Sequence, residues 1–161
     1  MNAILPTETP LNVPQSFASL AGVDQLRAIF SGEAGYNGMV QTMGFTPVSA
    51  EVGEVVFEGV PTRAHFNPLG QVHGGYAATM LDTAMGCAVH SSLKAGQGFT
   101  TLELKIAYHR PMSETSGPLR AEGKIITSGK RAAYAEGRLY DNQNRLCASG
   151  TTTCLVFAIG E

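Results

Sequence analysis

HFNPLGQVHGGYAATMLD, residues 65–82, runs from a loop into an apolar helix and then sets an acid inside it. Pro68 and Gly70 break the first half, and from Gly74 to about Leu93 almost every residue is small or apolar. That second half predicts a long, buried helix. Asp82 stands within it, among Ala78, Met80, Leu81, Ala84 and Met85. An ionised carboxylate in such surroundings is costly unless something pairs with it. Either the helix turns this position outward, or the acid has a chemical task.

On both sides of the helix the hydrophobic period changes to two. GFTPVSAEVGEVVFEGVPTRA, ending at Ala64, alternates as two strands with Gly53 at the turn between them. After Gly96 and Gly98, TTLELKIAYHRP sets Leu102, Leu104, Ile106 and Tyr108 against Thr101, Glu103 and Lys105. LRAEGKIITSG, RAAYAEGRLYD and RLCASGTTTCLVFAI are three more strand candidates, divided by turns at Ser128-Gly129 and Asp141–Asn144. Two strands, a long helix and four strands joined by short turns predict antiparallel neighbours and an α+β layer architecture. The helix is apolar nearly all round, so the sheet must wrap it and a second copy of the chain must cover the rest. Upstream, residues 20–33 carry Leu26, Ile29 and Phe30 at helical spacing, with Asp24 as the expected N-cap. Residues 1–16, with Pro6, Pro10 and Pro14, read as a loose arm.

The 161 residues suit one domain, with 43% hydrophobic and only 15% charged residues. A net charge of −2 supplies no basic field for nucleic acid or an anionic membrane. Cys87, Cys147 and Cys154 form neither a disulfide framework nor, with the four histidines, a zinc-ligand spacing. The N-terminus lacks the pattern of a secretory signal, and AATMLDTAMGCAV is too short to span a bilayer, so the expected location is the cytoplasm.

Gly74 and Gly75 follow His73 at the expected helix start. The first amides of a helix have no internal partner and carry partial positive charge, and glycine lets a ligand approach them closely. Such a site suits a carbonyl oxygen that becomes negative during attack, although a tight turn would equally need glycine. Asp82 lies about 12 Å further along the helix. That is too far to act on a carbonyl held at its own helix start, so cooperation requires Gly74 of another chain. Antiparallel helices across a two-fold axis would provide it twice.

The pattern Asn67-x5-His73-Gly74-Gly75-x6-Asp82, opening a long apolar helix before an antiparallel strand series, resembles the hotdog-fold acyl-CoA thioesterases. Within them it is most similar to the phenylacetic-acid-degradation (PaaI-like) branch, relatives of 4-hydroxybenzoyl-CoA thioesterase. The resemblance spans about residues 40–157 and implies a thioesterase domain over 40–161, with 1–39 as an N-terminal arm and short helix. It implies that Asp82 is the nucleophile or the general base, facing the Gly74 amide of the neighbouring chain, with Gly75 beside it. Asn67 and His73 would orient the water or thioester, and Thr101 would hydrogen-bond the acid or its water. It further implies an acyl-CoA substrate, no metal, no bound cofactor, and a homo-oligomer: a dimer, or the dimer of dimers that the family favours.

Residue by residue, other readings stand beside these. His73 could simply anchor the loop, and Asn67 before Pro68 could be a turn residue. Lys130 and Arg131, at a turn where the family contacts CoA, could bind its phosphates or only be solvated. Tyr76, Met80, Met85 and Phe99 could line the acyl pocket or be plain core. A hotdog hydratase or dehydratase acting on 3-hydroxyacyl thioesters fits the His-Gly-Gly-x6-Asp spacing less well than a hydrolase. A non-catalytic acyl-CoA-binding module would be favoured by an attached signalling segment, for which residues 1–40 are short and weakly charged.

Overall fold

The computed structural model describes residues 15–33 and 38–159. The expected arm over 1–16 lies almost wholly outside them. The chain forms α1 (Gln15–Ala18), α2 (Gly22–Phe30), α3 (Met39–Thr42), β1 (Phe45–Glu51) and β2 (Glu54–Gly59). After a short 3-10 turn (Arg63–His65) come α4 (Gly74–Ser91), β3 (Gln97–Tyr108), β4 (Leu119–Ser128), β5 (Ala132–Tyr140) and β6 (Leu146–Ala158). The six strands form one antiparallel sheet in the order β1-β2-β4-β5-β6-β3, and α4 packs across it. This is the hotdog fold.

What seats the helix is a row of glycines. Gly123 on β4 pairs with Gly137 on β5, which pairs with Gly150 on β6. A Cβ at Gly123 would stand 2.2 Å from the Ala84 carbonyl oxygen. At Gly137 it would stand 2.9 Å from the Met85 side chain, and at Gly150 3.4 Å from the Met85 methyl. The missing side chains open a trough across three strands, in which α4 lies backbone to backbone at Gly123 and through the Leu81 and Met85 side chains at Gly137 and Gly150. Tyr76, Ala77, Met80, Leu81, Ala84 and Met85 are buried there, so Tyr76, Met80 and Met85 belong to the core. Phe99 instead covers Gly86, where a Cβ would meet its ring at 3.2 Å.

Two expectations about neighbours change. Short turns do join β4, β5 and β6, but β3 and β4 are not neighbours. Residues 109–118 carry the chain from β3 back across the sheet, and β3 pairs with β6 at the edge. The start of α2 also differs. Its N-cap is Ala21 without a side-chain bond, and Asp24 sits inside the first turn, 3.7 Å from Arg27. Docking decides this. The Gly22 amide donates to the Leu93 carbonyl at 2.9 Å, and Gly22 passes so close to His90 that any side chain would collide with its backbone. Thus α2, which sequence assigns to a segment before the hotdog domain, packs directly on α4.

Because backbone atoms form the obstacle, Gly123→Ala cannot be absorbed by a rotamer change. It is expected to lower the unfolding free energy by about 3 kcal/mol, read from urea denaturation of the purified protein. A variant as stable as wild type would contradict the glycine trough.

Candidate active site

Tertiary contacts cap and pin the start of α4. The His73 ring is its N-cap: Nδ1 accepts from the Gly75 amide at 2.8 Å. The Tyr76 amide donates to the His73 carbonyl at 3.0 Å, and the His73 amide to the His65 carbonyl at 2.8 Å. The Tyr108 hydroxyl donates to the Gly74 carbonyl at 2.9 Å. Among the described residues the Gly74 N–H has no acceptor. The helix start therefore presents a free amide at Gly74, while the Gly75 and Tyr76 amides are occupied.

Further along the helix, Asp82 is half-buried beside the edge strand β3. This answers the first question about the acid: the position does point out of the core. Thr101 Oγ1 donates to its Oδ1 at 3.2 Å. The neighbouring hydroxyls are internally engaged, Thr79 donating to the Gly75 carbonyl at 2.9 Å and Thr83 to the Thr79 carbonyl at 2.8 Å. Strict alternation puts Thr101 on the opposite face from Leu104 and Ile106. The structure puts them on one face, because a β-bulge between Thr101 and Glu103 adds a residue and shifts the register. Leu102 absorbs the irregularity and is 62% exposed.

The remaining residues fall into clear places. Asn67 is a turn residue: its Oδ1 accepts from the Leu69 amide at 2.9 Å and the Gln71 amide at 3.1 Å. Its side-chain amide keeps free donors among the described residues, yet no hydrogen bond joins it to His73 or Gly74. Lys130 and Arg131 are exposed in the hairpin between β4 and β5 and make no ion pair among the described residues. That hairpin closes the sheet end where Ala133, Cys154 and Thr101 stand side by side on adjacent strands. The other histidines serve the scaffold. His65 accepts from the Thr62 amide at 3.0 Å, His90 bonds Gln25 at 2.9 Å, and His109 bonds Ser149 at 2.8 Å.

Electrostatics separates the acid from the thiols. Burial pushes the Cys87 thiol up to about 12, and the Asp82 carboxylate adds to the shift. Burial also raises Cys154, again with a contribution from Asp82. Both stay protonated near neutral pH and are poor nucleophiles. Among the described residues no three His, Cys, Asp or Glu side chains gather as a metal cluster, and no helix is long and apolar enough to cross a membrane.

Tyr108 escaped the sequence reading. Alternation groups it with Leu104 and Ile106, and it does share their face of β3, but it ends the strand with its hydroxyl on the helix start. A phenol at the end of an apolar series was the available signal, since a buried hydroxyl needs a partner and an exposed one can reach for it.

The sheet, the seated helix and its open polar face define a hotdog-class enzyme scaffold. A family model described as Thioesterase superfamily matches residues 69–148. A protein of Saccharolobus solfataricus named as an esterase is 36% identical over 88 residues, 55% of this chain and 57% of that protein. The proofreading thioesterase EntH of Klebsiella pneumoniae is 32% identical over 114 residues, 70% of this chain and 81% of its own. A crystal structure of a phenylacetic acid degradation-related protein from Ralstonia eutropha JMP134 superposes with a TM-score of 0.73. It is 29% identical and covers 80% of this chain and 97% of its own. The chain belongs to the thioesterase superfamily, and its chemistry is thioester hydrolysis.

The His73 cap has a measurable consequence. His73→Ala is expected to cost about 1 kcal/mol of stability and His73→Asn much less, since Asn also caps well. Equal losses for the two variants in thermal or urea unfolding would contradict capping by this side chain.

Proposed function

We propose that the protein hydrolyses the CoA thioester of an aryl or medium-chain acyl group to the free acid and CoA. Two copies of the chain form each site, Asp82 of one facing the Gly74 amide of the other. The observation that carries this reading is the division of labour along α4: one free amide at its start, and one hydroxyl-paired acid on its open face. They lie about 12 Å apart on one helix, whereas a reacting carbon must sit roughly 3 Å from both nucleophile and oxyanion donor. An antiparallel pairing of two α4 helices about a two-fold axis brings unlike ends together. The exposed edge of β3 and the open face of α4 suit such a pairing, and a dimer of dimers is the proposed assembly.

In this site the thioester carbonyl oxygen accepts from the Gly74 N–H, and negative charge develops there during attack. Asp82 either attacks the carbonyl carbon itself or takes a proton from the attacking water. Thr101 holds the carboxylate in place by donating to one oxygen, leaving the other for chemistry. The carbon–sulfur bond then breaks. With Asp82 as base, the proton it took from water passes to the CoA thiolate and the free acid is formed directly. With Asp82 as nucleophile, the thiolate takes a proton from solvent, and water hydrolyses the acyl-aspartate anhydride to the free acid and Asp82. His73 fixes the helix start, and Asn67, through its free side-chain amide, orients the thioester from the preceding turn. Lys130 and Arg131 meet the CoA phosphates, Arg as a fork and Lys as a point charge. Free Cys87, Cys147 and Cys154 suit a reducing compartment, and the proposed location is the cytoplasm.

The test is thiol release from a panel of aryl- and medium-chain acyl-CoA thioesters by wild type and Asp82→Asn. Asp82→Asn is expected to lower kcat by about a hundredfold or more, with KM within about twofold of wild type. Undiminished turnover by the variant would remove Asp82 from the chemistry, and no release across the panel would overturn the acyl-CoA reading.

A further inference from the structure

The geometry points to Tyr108 as the positioning residue that aims the Gly74 amide, an inference that rests on the site proposed above. The peptide between Gly74 and Gly75 is held on both sides. Its carbonyl accepts from Tyr108 at 2.9 Å, and its N–H donates to His73 at 2.8 Å. On the other side of Gly74, the His73 amide is fixed to the His65 carbonyl at 2.8 Å. The intervening peptide carries the Gly74 N–H, so its direction is set by neighbours clamped at both ends. Glycine has the widest backbone freedom of any residue. Fixing its flanking peptides turns a loose donor into a preorganised one.

Two features argue that this contact aims the amide more than it holds the fold together. A helical carbonyl at this position already accepts from the amide four residues on, and a carbonyl has two lone pairs, so Tyr108 fills a second acceptor site. Tyr108 is also 53% exposed, and water competes for the hydrogen bond. Removing the hydroxyl should therefore disturb direction while leaving stability nearly intact. The contact is nonetheless close: a Cβ at Gly74 would stand 3.1 Å from the phenol oxygen and would press on the ring.

The placement of Tyr108 on β3 has a second consequence. The same strand sets Thr101 against Asp82 and Tyr108 against Gly74. With Asp82 and Gly74 of one chain serving different sites, each β3 supports the acid of one site and the amide of the other.

The experiment uses full-length wild type, Asp82→Asn and Tyr108→Phe, with benzoyl-CoA and octanoyl-CoA as probes. Tyr108→Phe is expected to lower kcat about tenfold, leaving KM within about twofold and the melting temperature within about 2 °C. Asp82→Asn and Tyr108→Phe chains carrying different tags are then co-expressed, and the mixed dimer is isolated. One of its sites holds both substitutions and the other holds neither. It should show about half of wild-type activity, about fivefold above the Tyr108→Phe homodimer. Wild-type kcat in Tyr108→Phe, a change confined to KM, or a mixed dimer no more active than the mean of its parents would overturn the role of Tyr108. If Asp82→Asn is inactive while Tyr108→Phe is fully active, only this inference falls. If wild type releases no thiol, the proposed function fails and this inference falls with it.

Discussion

Everything in the structure depends on how closely α4 approaches the sheet. The glycine at 123 lets the helix backbone sink to where any side chain would collide with it, and those at 137 and 150 make room for the Leu81 and Met85 side chains. Close seating maximises contact for a helix rich in alanine and glycine, which have little side chain to bury. It also fixes rotation about the helix axis. With Leu81, Ala84 and Met85 pressed into the trough, Asp82 comes to lie beside the edge strand β3, within reach of Thr101.

That rotation decides the electrostatics. An acid turned a third of the way round the helix would enter the core and would have to be neutralised or paired. Half-buried and bonded to Thr101, Asp82 has a partner for one oxygen and solvent near the other. The β3 bulge is the second half of the same solution. One additional residue swings Thr101 onto the inner face while leaving Leu104 and Ile106 in the core. The cost is one irregular, exposed leucine at the sheet edge.

At the start of the helix, several hydrogen bonds converge on one outcome. Helix ends ordinarily expose several unpaired amides. Here a histidine cap and a backbone carbonyl take the competing donors, and a tyrosine from the far end of β3 holds the adjacent carbonyl. The Gly74 amide is left without an acceptor among the described residues, which is what the proposed oxyanion site needs.

Much of this was legible in the sequence. Period-two alternation located all six strands, and the apolar run from Gly74 located the helix, because local burial patterns follow directly from backbone geometry. Asp82 stood out as a charge where charge is costly, and Gly74 as a glycine at a helix start. The exceptions share one cause. Asp24 is not a cap because α2 begins where it docks on α4. Thr101 lies on the opposite face from the one alternation gives it because of a bulge, and Tyr108 meets Gly74 through a long-range hydrogen bond; neither is encoded in neighbouring residues. The pairing of β3 with β6, across a connection that leaves the sheet and returns, is equally non-local. The sequence by itself determined which segments become strands and helix and which acid is out of place. Only the tertiary structure decided what each polar side chain meets, because those partners are brought together by packing between segments far apart in the chain.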